Sequence, residues 1–70
     1  MYLVWFDDTP KHTIAQKIAA AIAAYQERYG VLPNVALVSE ADGAPATVAG
    51  ICVRVERRVQ RNNVQVGYEA

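Results

Sequence analysis

The sequence predicts an α/β (α+β) domain of β-α-β-β-β order, with one amphipathic helix packed on a small mixed β-sheet. Three observations predict it. Apolar residues between positions 14 and 29 recur every three or four places, two short runs of β-formers flank that segment, and the last twenty residues alternate apolar with polar.

Tyr2-Leu3-Val4-Trp5-Phe6 is the first run, apolar at every position as in a strand covered on both faces, and it stops at Asp7-Asp8. Thr9-Pro10 reads as a helix entry, with Thr9 as N-cap and Pro10 at the first helical position, where a missing N–H costs nothing. His12 or Thr13 is the alternative cap, one turn later. From about Thr13 to Tyr29 the pattern is helical. Ile14, Ile18, Ile22, Tyr25 and Tyr29 form one stripe, and Gln16, Lys17, Gln26, Glu27 and Arg28 populate the other side. Alanines at 19–21 and 23–24 favour helix and let the backbone approach a sheet closely. Gly30 is suited to a left-handed cap, and Pro33 forbids continuation.

Asn34-Val35-Ala36-Leu37-Val38 is a second short strand, and strand, helix and strand in succession imply a right-handed parallel crossover. Ser39 to Gly50, with its Asp42-Gly43, Ala44-Pro45 and Ala49-Gly50 steps, reads as a surface loop. Ile51, Val53 and Val55 then alternate with Cys52, Arg54 and Glu56, and Val64, Val66 and Tyr68 with Gln65, Gly67 and Glu69. These two strands are expected to form an antiparallel pair. Between them, Arg57 to Asn63 is polar apart from Val59.

Seventy residues make a single domain, 1–70, with a thin core. Chains of this size lean on disulfides, a metal, a partner subunit or very regular packing. Cys52 is the only cysteine, which excludes an internal disulfide. Cys52 and His12 are the only soft ligands, which excludes a closed zinc site, so no cofactor or metal is expected. A partner subunit is what remains.

Seven Lys and Arg balance seven Asp and Glu, so the chain is no global polycation. Residues 1–50 hold three cations against five anions, and residues 51–70 hold four against two. No targeting segment is evident, and the longest wholly apolar run, Ile18 to Tyr25, is too short for a bilayer. A soluble, cytoplasmic protein with no membrane partner and no small-molecule ligand is expected.

One helix covers one face of such a sheet, yet the first two strands carry apolar residues on both. A bare apolar face marks an interface. The expectation is a homodimer, with sheets face to face or strands joined edge to edge. Its interface is assigned to Leu3, Trp5, Ala36, Val38 and Cys52, or to the alternate set if the strand phases are reversed, with Trp5 as energetic anchor.

Three motifs compete with this reading. Val4-Trp5-Phe6-Asp7-Asp8 resembles the start of response-regulator receiver domains, whose acidic pair holds magnesium beside a phosphorylated aspartate. The resemblance implies a metal-dependent phosphoryl-transfer site at Asp7 and Asp8. The chain departs from that pattern, because Ser39-Glu40 follows the next strand where an aspartate belongs and the length cannot hold five βα units. Carboxylates before a helix are also favoured by its dipole. Cys52 and His12 are a nucleophile and a base only if the fold joins them. Arg54, Arg57, Arg58 and Arg61, with Asn62 and Asn63, form the one basic cluster, a candidate for anion or nucleic-acid contact. Glu56 lies among them and no aromatic is interleaved to stack on bases.

The stretch Tyr25 to Val35, following Trp5 to Lys11, resembles short uncharacterised bacterial proteins of similar length, which implies no activity. The expected function is therefore a non-enzymatic, self-associating protein–protein interaction module. The alternative is a nucleic-acid accessory protein using the four arginines.

Overall fold

The computed structural model describes residues 2–43 and 45–69. In chain order they form β1 (Tyr2–Phe6), α1 (Ile14–Tyr29), β2 (Val35–Val38), β3 (Thr47–Val48), β4 (Ile51–Val55) and β5 (Asn63–Gly67). The predicted class holds: one helix lies on a small mixed sheet.

Local chemistry sets the helix bounds. Thr13 is the N-cap, its hydroxyl accepting from the Gln16 N–H at 3.1 Å while the Gln16 side chain accepts from the Thr13 N–H at 2.8 Å. This reciprocal pair satisfies two of the free donors of the first turn. Thr9 and Pro10 instead belong to a preceding turn, closed by the His12 N–H on the Thr9 carbonyl at 3.1 Å. The later of the two predicted entries is the correct one. Gly30 ends the helix in the left-handed region at φ 74°, where its N–H reaches the Gln26 carbonyl at 2.8 Å.

The sheet has the order β1-β5-β2-β4-β3. β2 and β4 are parallel, and every other neighbouring pair is antiparallel. The expected antiparallel pairing of the last two strands is therefore wrong. β5 leaves β4, crosses β2 and inserts between β2 and β1. β1 and β2 run parallel as the crossover requires, with β5 between them.

The physical reason lies in the β4–β5 connection. A tight hairpin needs two to five residues, whereas residues 56–62 form a longer arch. That arch passes over β2 and sets Val59 onto Val35 and Leu37, forming a second small apolar cluster on the face away from α1. A direct hairpin would leave all three side chains in water.

The main core lies between sheet and helix. Ile18, Ala21, Ile22 and Tyr25 of α1 pack on Ala36, Val38, Ile51, Val64 and Val66, with Leu3, Trp5, Ile14, Tyr29, Val48 and Val53 around them. The helical stripe predicted from spacing is the buried one.

The expected loop 39–50 contains one further element. β3 pairs with β4 through a two-residue hairpin, Val48 opposite Ile51, with Ala49 at φ 52° and Gly50 at φ 78°. Ala44, part of the Ala-Pro step in that loop, lies outside the described residues. Two consecutive positive φ values are the type I′ geometry that suits a twisted ribbon, and the first position favours Asn over Ala. Ala49→Asn should accordingly raise stability by roughly 0.5–1 kcal/mol, measured as a higher denaturant midpoint at unchanged slope.

Candidate functional site

Strand register sorts the side chains into rows. On the helix face, one row runs Leu3, Val66, Ala36, Val53 and the next Trp5, Val64, Val38, Val55. On the far face, the rows are Tyr2, Gly67, Val35, Cys52; then Val4, Gln65, Leu37, Arg54; then Phe6 beside Asn63.

This phase relocates the predicted interface. Leu3, Trp5, Ala36 and Val38 face the helix, and Ala36 and Val38 are completely buried within the chain, with no surface left for a partner. Cys52 alone of that set lies on the far face, exposed. The alternate set is the one presented: Tyr2, Val4 and Phe6. Val4 is 58% and Phe6 61% exposed, whereas Val35 and Leu37 are buried beneath Val59. The apolar face that no second helix covers is thus half covered by the chain's own arch, and the bare part is β1.

Leu3 and Trp5 are only half-buried because β1 is an edge strand. With Ala24, Glu27 and Arg28 of α1 they line an open groove of about 440 Å³ beside the free edge.

The arginine cluster divides. The Arg54 guanidinium donates to both Glu69 carboxylate oxygens at 2.9 Å, and its Nε lies 3.8 Å from Glu56. Glu69 also accepts from the Tyr2 hydroxyl at 2.7 Å, so Arg54, Glu69 and Tyr2 form one chain of contacts across the end of the sheet. Hydrogen bonding from Arg54, then from Tyr2, holds the Glu69 carboxyl below its usual range, and the same carboxylate pushes the Tyr2 hydroxyl up. The Tyr2 ring lies flat over Gly67, where a Cβ would come within 2.6 Å of it. Glycine is there because the ring occupies the space.

Arg57, Arg58 and Arg61 are exposed on the arch and, among the described residues, none has an acidic partner. Arg58 reaches the Gln65 side-chain oxygen at 3.4 Å. With Gln60, Asn63 and Gln65 it lines a polar pocket of about 230 Å³ on the far face.

Two asparagines organise this region: Asn62, which the sequence grouped with the arginines, and Asn34, which it assigned no role beyond starting β2. Asn62, at φ 68°, donates its N–H to Asp42 Oδ2 at 3.0 Å, while its carbonyl accepts from the Asp7 N–H at 3.0 Å and its side-chain oxygen from Lys17 Nζ at 3.2 Å. Asparagine tolerates the left-handed region better than most residues, which is the signal that its sequence position carried. Asn34 fastens the C-terminal segment by accepting from the Glu69 N–H at 2.7 Å.

Asp7 and Asp8 are not equivalent. Asp7 Oδ1 accepts from the Thr9 N–H at 2.8 Å, and Oδ2 lies 2.7 Å from His12 Nδ1, from which it accepts. Both oxygens therefore serve the turn that leads into α1, while Asp8 is exposed. No three His, Cys, Asp or Glu residues stand together as a metal-ligating group among the described residues. Cys52 sits on β4, three strands from β1 and thus roughly 14 Å across the sheet from the strand that leads to His12. The fold does not join the two.

No known protein family matches the chain, and neither a curated protein nor a solved structure is similar to it. Among the described residues no helix is long and apolar enough to cross a membrane.

The Asp7 turn has a pH signature. Hydrogen bonds from His12, then from the Thr9 hydroxyl and N–H, hold the Asp7 carboxyl well below its ordinary value of 3.8. A depressed folded-state value adds stability above the unfolded value and loses it as pH falls through the folded one. Asp7→Asn should be less stable than the parent near neutrality, and the difference should shrink below about pH 4. Denaturant titrations from neutral pH to about pH 2 measure it.

Proposed function

We propose that this chain is a small, non-enzymatic self-associating module whose contact element is the free edge of β1. One observation carries the reading: β1 is an edge strand of five consecutive β-formers, with no Lys, Pro or charged residue to guard it. Natural edge strands of this length are normally covered, broken by a bulge or charged, because their unpaired N–H and C=O groups template further pairing.

Antiparallel pairing of two β1 strands about a two-fold axis is self-complementary. Centred on Val4, it sets Tyr2 opposite Phe6 of the second copy and Leu3 opposite Trp5, with Val4 opposite itself. On the far face the two Tyr2–Phe6 pairs join an aromatic to an aromatic on either side of the Val4 pair, and the helix-face pairs close the grooves beside Ala24, Glu27 and Arg28. The result is a continuous ten-stranded sheet with both helices on one side. A thin seventy-residue core gains the partner that its size calls for. Cytoplasmic location and bacterial origin fit this reading without bearing on it.

Sedimentation over a concentration series should give a dimer at micromolar concentration that is insensitive to salt. Val4→Lys sets two like charges face to face at the axis and should weaken association at least about tenfold while the helical signal persists. A parent protein that sediments as a monomer overturns the proposal.

A further inference from the structure

We propose that the far face of the sheet is a binding site for single-stranded nucleic acid, a function separate from self-association through the β1 edge. Four features meet there. Phe6 is an exposed ring directly opposite Asn63, with its side chain on the open face. Beside Asn63 lies the polar pocket of about 230 Å³ formed with Arg58, Gln60 and Gln65. Arg57, Arg58 and Arg61 have no acidic partner among the described residues; Arg58 lines that pocket, and Arg57 and Arg61 are exposed on the same arch. The arch that carries Arg58 and Gln60 is anchored to the sheet by Val59, buried against Val35 and Leu37.

Each feature matches one part of an unpaired nucleotide. A ring on an open sheet offers its face to a base, and stacking of this kind tolerates any sequence. Side-chain amides at 60, 63 and 65 supply donors and acceptors for base edges that only a single strand leaves free. Unpaired guanidinium groups suit phosphates through their planar donor forks. A duplex hides its base faces and edges, so it satisfies the arginines alone. The sheet links aromatic and basic residues that lie more than fifty positions apart in the chain: Phe6 is the register partner of Asn63, and Asn63 lines the same pocket as Arg58. Edge association through β1 leaves this face open and places two copies of it side by side.

The test is fluorescence anisotropy with labelled twelve-nucleotide RNA and DNA of mixed sequence, single-stranded and as the matched duplexes, over a salt series. The single strand should bind more tightly than the duplex, with log affinity falling against log salt at a slope of about −2, as three arginines require. Phe6→Leu keeps apolar bulk but removes the stacking face, and should lower affinity about five- to twentyfold. Arg58→Gln should lower it and flatten the slope by about 0.7. Circular dichroism confirms that both variants fold. A preference for RNA or for DNA identifies the sugar recognised and supports the site. No binding at low salt, equal binding of duplex, or unchanged affinity in Phe6→Leu each overturns it. Phe6 also faces Tyr2 of the second copy in the proposed dimer, so sedimentation of Phe6→Leu is run alongside: lost affinity at the parent's oligomeric state assigns the effect to stacking.

Discussion

The structure depends on β5 being paired along both edges. Val64 and Val66 are completely buried beneath α1, and the same strand exchanges backbone hydrogen bonds with β1 on one side and β2 on the other. Without it, β1 has no neighbour, because β1 and β2 never touch. The last strand of the chain is thus an inner one, and the sheet closes only through contacts between residues far apart in sequence. Such non-local pairing carries a loop-closure cost that slows folding. The polar ties around β5 fit that role. Asn62 joins helix, loop and β1 at one end of the strand, and Asn34 with Glu69 secures the segment beyond the other.

A seventy-residue chain with one helix has too little secondary structure to cover both faces of five strands. It solves this unequally. Helix α1 takes one face, and a single valine on the β4–β5 arch takes the middle of the other. What remains uncovered is the outer strand, on its open edge and its far face together. The bare surface is therefore a consequence of topology: the arch runs from β4 over β2 to β5, and β1 lies outside its span. Edge and face are at right angles, and Phe6 belongs to both.

The charged residues follow the same division. Arg54 and Glu69 satisfy each other and Tyr2, and Asp7 satisfies a turn, so these groups hold the fold. Arg57, Arg58 and Arg61 hold nothing comparable and stand on a segment whose backbone is anchored by Val59. A balanced net charge conceals this local excess of cations.

Much of the local structure was legible in the residues. The stripe from Ile14 to Tyr29, the Gly30 terminator and the alternation of β4 and β5 are short-range signals, because helix and strand periodicity are properties of a few consecutive side chains. Thr13 as cap was one of the stated options, separated from Thr9 only by the reach of Gln16. Alternation also placed Tyr2, Val4 and Phe6 together on one face, but not which face. That depended on register and on the insertion of β5, which are set by burying Val64, Val66 and Val59 at once, a condition on the whole chain. The sequence by itself determined the elements, their amphipathic sides and the shortage of cover. Only the tertiary structure decided that β1 stands at the edge, that Leu3 and Trp5 turn inward, and that Phe6 lies opposite Asn63, since strand order is chosen by the summed burial of distant residues and leaves no local trace.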